Sequence, residues 1–122
     1  MKVRAVGTNQ KLVSDMYAHE RRVLDRITKT LRERFPERIQ GAFAFGSRAR
    51  GDHGAWSDFD VLVVVKDRDP SIEQGIISLF VEEELQSGLQ FTPLIKDLKA
   101  FQSEKKFKTP FHENLTKEGI PL

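Results

Sequence analysis

Apolar residues recur through the first third of the chain at helical spacing. Leu12, Met16, Val23, Ile27, Leu31 and Phe35 form one stripe with charged residues between them, so residues 10–35 predict a long amphipathic helix. Pro36 ends it. The period then changes. Residues 40–45 alternate, with Phe43 and Phe45 on one side and Ala42 and Ala44 on the other, which predicts a strand. Asp60 runs into Val61-Leu62-Val63-Val64-Val65, a β-branched stretch that favours a second strand.

Beyond it, residues 67–70 predict a turn, and Ser71 with Gln74 matches a capping box. Ile72, Ile76, Leu79, Phe80 and Leu85 then carry a second amphipathic helix that ends near Gly88. Glu82, Glu83 and Glu84 read as its solvated face. Residues 89–95 predict a third strand, in which Pro93 ends regular pairing and Asp97 lies beyond. A short helix over residues 97–103 follows, and Thr109-Pro110 starts a last helix running to Gly119. The order of elements predicts an α/β (α+β) fold with a small mixed sheet packed by helices. Residues 1–122 read as a single domain, with no internal repeat and no linker.

The candidate chemistry lies where the two central strands approach each other. Asp58 and Asp60 project to the same side of a strand, roughly 7 Å apart along the backbone. Two hard oxygen ligands so placed suit Mg²⁺, which takes one or two carboxylates and fills its shell with water and phosphate oxygens. Two such ions can clamp the attacking and leaving oxygens of a phosphoryl displacement. Gly46 lets the backbone turn sharply and approach a ligand closely. Ser47 can cap a short helical turn through Arg48-Ala49-Arg50, presenting backbone N–H groups and a hydroxyl to an anion. Arg48 and Arg50 add guanidinium groups that grip phosphate with paired hydrogen bonds. Carboxylates for a metal beside a turn for phosphate describe a site for a nucleoside triphosphate.

The string G-S-R-A-R-G from Gly46, followed by S-D-F-D-V-L-V-V-V from Ser57, resembles the core of the minimal nucleotidyltransferases, small members of the DNA polymerase β superfamily. The resemblance implies that Gly46 and Ser47 bind the triphosphate and that Asp58 and Asp60 ligate Mg²⁺. It implies ATP or another NTP as substrate and transfer of NMP to a hydroxyl. It also implies pairing with a small helical partner of the HEPN class, toward which the nucleotidyltransferase acts as antitoxin by attaching AMP to a tyrosine. Transfer to a small molecule or RNA is an alternative acceptor reading. One departure stands out. The family usually carries a third carboxylate on a later strand, where this chain has Gln90 and Thr92. A slow enzyme with two carboxylates, a site completed by a partner and a nucleotide-binding module that acts by contact alone all stay open on the residues.

Composition changes this picture little. The chain has no cysteine, which excludes disulfide frameworks and thiolate zinc sites. Twenty basic against 18 acidic residues leave a net charge of +2, too small to define a nucleic-acid surface. The cluster Lys96, Lys99, Lys105, Lys106 and Lys108 is the candidate for polyanion contact, and solvated surface is the commoner role of such clusters. No apolar stretch matches a signal peptide or membrane span, so a cytoplasmic location is expected. Trp56 and His53 read as a packing and a solvated residue in preference to nucleotide contacts. Homo- or hetero-oligomers are both compatible with the sequence.

Overall fold

The computed structural model describes residues 18–46 and 58–122. Five successive apolar residues after Asp60 suit a strand covered on both faces. The strand β2 (Phe59–Val65) meets that condition in the interior of a four-stranded sheet. Its neighbours are β1 (Ile39–Phe45), antiparallel, and β3 (Phe91–Asp97), parallel. A short β4 (Ile120–Pro121) pairs antiparallel with β1, giving the order β3-β2-β1-β4. A parallel pair requires a crossover, here the helix α2 (Pro70–Ser87).

One face of the sheet carries the larger core. Val23, Leu24, Ile27 and Leu31 of α1 (Ala18–Arg34), with Ile72, Ile76, Leu79 and Phe80 of α2, bury Val61, Val63 and Val65. The other face carries Leu62 and Val64. Leu115 of α4 (Pro110–Glu118) and Phe101 of α3 (Leu98–Phe107) cover these, alongside Phe43, Phe45 and Phe111. Successive strand residues point to opposite faces, so Asp60 shares this second face with Leu62 and Val64. That parity puts the carboxylate on the face that α3 and α4 pack against, away from the larger core.

Several expectations are corrected. The capping box of Ser71 and Gln74 is not used: Asp69, extended at φ −149° and ψ 166°, accepts from the Ile72 N–H at 2.9 Å. Pro70 occupies the first turn of α2, where its missing donor costs nothing, so the cap falls on the residue before it. The Ile72 N–H first, then Arg38, hold the Asp69 carboxyl below its ordinary range. Glu83 is buried, not solvated, and takes Arg26 Nη2 at 2.6 Å across from α1. The Glu84 carboxylate accepts from the Phe91 N–H at 2.8 Å, which ties the end of α2 to the start of β3. Glu82 does sit at the surface, paired with Arg34. Leu85, expected in the buried stripe, is 82% exposed.

Pro93 does not end the pairing. The register runs from Phe59↔Phe91 through Val61↔Pro93 to Val65↔Asp97, and an edge strand tolerates a residue without a donor. Asp97 therefore closes β3 at the far end of β2 from Asp58, and caps α3. Its carboxylate accepts from the Arg68 N–H at 2.8 Å and the Lys99 N–H at 3.0 Å, which hold it below its ordinary range. Lys96 leaves the expected polyanion cluster: it pairs with Glu104 and lies 4.4 Å from the centre of the Phe111 ring. The predicted first helix is described from Ala18, and its residues 10–17 lie outside the described residues.

Candidate active site

The cross-strand register assembles a row of side chains on the face that carries Leu62. Phe45 stands opposite Asp60 across the antiparallel pair, and Asp60 stands opposite Thr92 across the parallel pair. Directly paired residues share a face, so the row runs Phe45, Asp60, Thr92 from β1 to β3. Asp58 precedes β2 with the same parity as Asp60. The Thr92 hydroxyl donates to Asp58 Oδ2 at 3.0 Å, which fixes that carboxylate over β3. Thr92, one of the two polar residues that the sequence offers on this strand in place of a carboxylate, thus contacts Asp58. Gln90 lies just before β3 and is exposed, its carbonyl accepting from the Phe59 N–H at 2.9 Å. Among the described residues, no cluster of three or more His, Cys, Asp or Glu side chains is placed to hold a metal.

Asp60 is half-buried. Burial first, and the charge of Asp58 second, raise its carboxyl above the ordinary value of 3.8. Two carboxylates on one face, one of them desolvated, make a local excess of negative charge that a cation relieves. Two carboxylate ligands also match what Mg²⁺ takes from protein when phosphate and water complete its shell.

Gly46 ends β1 at φ +88°, a left-handed conformation that side chains disfavour. A Cβ on it would lie 2.2 Å from Asp60 Oδ2, so the backbone is pressed against that carboxylate. Gly46→Ala is therefore expected to cost about 1–2 kcal/mol from the backbone alone, and to displace Asp60 as well. Thermal melts should show the loss of stability, and any remaining transfer activity should fall about tenfold or more. An alanine protein with unchanged melting and turnover would show that the close approach has no consequence.

Ser47, Arg48 and Arg50 lie outside the described residues, as do His53 and Trp56. Beyond Gly46, on the side of Asp60 away from Thr92, a cleft of about 180 Å³ opens between the end of β1 and α4. Phe111, Asn114, Leu115 and Glu118 line it at i, i+3, i+4 and i+7, one face of the helix, opposite Phe45 and Gly46. Sequence reading takes α4 as scaffold. The available signals were Asn114 and Glu118, polar residues that share that face with Phe111 and Leu115.

Residues 24–121 match the family described as the nucleotidyltransferase domain. That match spans most of the chain, and the protein belongs to this family. It is a nucleotidyltransferase. A protein of Methanocaldococcus jannaschii, provisionally named a protein adenylyltransferase, is 29% identical over 104 residues, covering 85% of this chain and 98% of the relative. A crystal structure of a provisionally assigned nucleotidyltransferase from Sulfolobus solfataricus aligns over 98% of this chain and 90% of its own. Its TM-score is 0.54 at 20% identity, a likeness of fold. Among the described residues, no helix is long and apolar enough to cross a membrane.

Proposed function

We propose that this chain, acting as one domain, moves AMP from ATP to a hydroxyl acceptor in a Mg²⁺-dependent reaction. The observation that carries the reading is the packing of Gly46 backbone against Asp60 beside Asp58. It joins a turn suited to phosphate with carboxylates suited to a cation. Asp58 and Asp60 would hold Mg²⁺, which when bound supplies neutralisation of phosphate charge. Gly46 and Ser47 would bind the triphosphate, with Arg48 and Arg50 adding positive charge. The provisional name of the archaeal relative supports ATP as donor and a protein as acceptor.

The chemistry is an in-line exchange at the α-phosphorus. The acceptor oxygen forms a bond to it as the bond to the bridging oxygen breaks, and pyrophosphate leaves. The acceptor proton passes to water, since Gln90 and Thr92 offer no carboxylate base. The protein's part is orientation and placed charge more than covalent participation. The acceptor we favour is a tyrosine on a small helical HEPN-type partner, which makes this chain the antitoxin of a pair in the cytoplasm. The hydrogen bond from Thr92 to Asp58 favours a second reading, in which turnover is weak and the partner is neutralised mainly by contact.

The test incubates the full chain with ATP labelled at the α-phosphate, Mg²⁺ and a candidate helical partner. Label on the partner is the expected result. A tight complex that stays unlabelled supports the contact reading instead. Label on added RNA or a small hydroxyl compound reassigns the acceptor, and no label and no complex overturns the proposal.

A further inference from the structure

We propose that the Thr92 hydroxyl is itself an acceptor, so that the chain adenylylates its own β3 strand without a partner. The inference rests on the proposed binding of ATP between the Gly46 turn and the two aspartates. The bonding of Thr92 is the first argument. Its hydroxyl reaches from β3 to the residue before β2 and donates to Asp58 Oδ2 at 3.0 Å. Thr28, Thr30, Ser87 and Thr116 instead each donate to a backbone carbonyl one turn earlier in their own helix. That local bond is a common use of a helical hydroxyl, and it turns the oxygen away from other chemistry. The Thr92 oxygen is held against a carboxylate of the site. It engages Oδ2 alone, which leaves Asp58 Oδ1 for a cation.

Position is the second argument. Phosphoryl transfer places the attacking and leaving oxygens on opposite sides of the phosphorus. The row on this face runs from Phe45 through Asp60 to Thr92, and Gly46 backbone presses on Asp60 from the β1 side. Phosphates held at Gly46 therefore direct the leaving pyrophosphate toward β1. The attacking oxygen must come from the β3 side, where the Thr92 hydroxyl stands. Neighbouring strands lie about 4.8 Å apart, so a phosphorus over the aspartates is a short movement from that oxygen.

Access is the third argument. Thr92 is exposed on an edge strand, so a group attached there can project into solvent without disturbing the core. A nucleophile built into the fold also replaces a bimolecular encounter with held geometry. In the step, Thr92 Oγ1 bonds to the α-phosphorus as the bond to the bridging oxygen breaks. Pyrophosphate leaves with that electron pair. The hydroxyl proton departs along the existing hydrogen bond to Asp58 and reaches water. The product is a phosphodiester joining AMP to Thr92. Because the chain keeps its product, each molecule reacts once and ends with the β3 side of the site filled.

The test incubates the full chain alone with ATP labelled at the α-phosphate and Mg²⁺, then maps the label by proteolysis and mass spectrometry. Label on Thr92 is expected, with a rate constant independent of chain concentration. Thr92→Val should lose the label and Thr92→Ser should keep it. The separated, modified chain should bind ATP at least about tenfold more weakly by calorimetry, because the attached group obstructs the site. Label on another residue overturns the inference, as does a rate that rises with chain concentration. Label on an added partner with none on the chain overturns this inference alone. So does Mg²⁺-dependent ATP binding by a chain that never becomes labelled. If the chain neither becomes labelled nor binds ATP with Mg²⁺, the proposed function falls together with it.

Discussion

Asp60→Asn is expected to reduce transfer about 100-fold or more while making the metal-free protein more stable. The two effects share one cause. Burial and the neighbouring charge of Asp58 raise the Asp60 carboxyl above its ordinary value of 3.8, so the fold pays for ionising it. For a carboxyl raised in this way the folded state binds more protons than the unfolded chain between the two values. Stability contributed by the protonated form is present at low pH and is lost as pH rises through that interval. Asparagine keeps the shape and removes the charge, so the loss disappears. Melting curves of chelator-treated protein should show a higher Tm for the variant at neutral pH, with the gap closing as pH falls toward 3.8. A variant with wild-type turnover would show that Asp60 is no metal ligand, and one less stable at every pH would contradict the electrostatic argument.

Thr92→Asp is expected to raise turnover. In the register Asp60↔Thr92 the new carboxylate would share the face of Asp58 and Asp60, within reach of the atoms that Thr92 now contacts. A positioned general base contributes roughly 10²–10⁴-fold, and about tenfold is a cautious expectation for one introduced without its supporting shell. The same change places a third negative charge in the site, so the metal-free variant should melt lower and gain more from added Mg²⁺ than wild type. Single-turnover rates and melting with and without Mg²⁺ measure both. Unchanged rates would mean that the missing carboxylate does not limit the reaction.

The sequence made the centre of the fold legible because its signals there are local. The Val61–Val65 run, the alternation through Phe43 and Phe45, and the stripe of Ile72, Ile76 and Leu79 each follow from neighbours within one element. The pairing of Thr92 beside Asp60 was legible for the same reason, since strand parity places Thr92 on the polar face. Long-range pairing hid the rest. Glu83 looks solvated until Arg26, 57 residues earlier, is found 2.6 Å away. The two residues of β4 have no strand signal of their own and pair only because Phe43 and Ala44 stand opposite them. Pro93 reads as a breaker unless β3 is known to lie at the sheet edge. Asn114 and Glu118 became site candidates only once α4 was seated beside Gly46.

One measurement bears most directly on the central claim, that ATP with Mg²⁺ binds where the Gly46 turn meets Asp58 and Asp60. Isothermal calorimetry of the full chain with ATP, with and without Mg²⁺, and of the Asp60→Asn variant, provides it. The account predicts binding that needs Mg²⁺ and weakens at least tenfold in the variant. Equal affinity with and without Mg²⁺, or a variant that binds as wild type does, would contradict it.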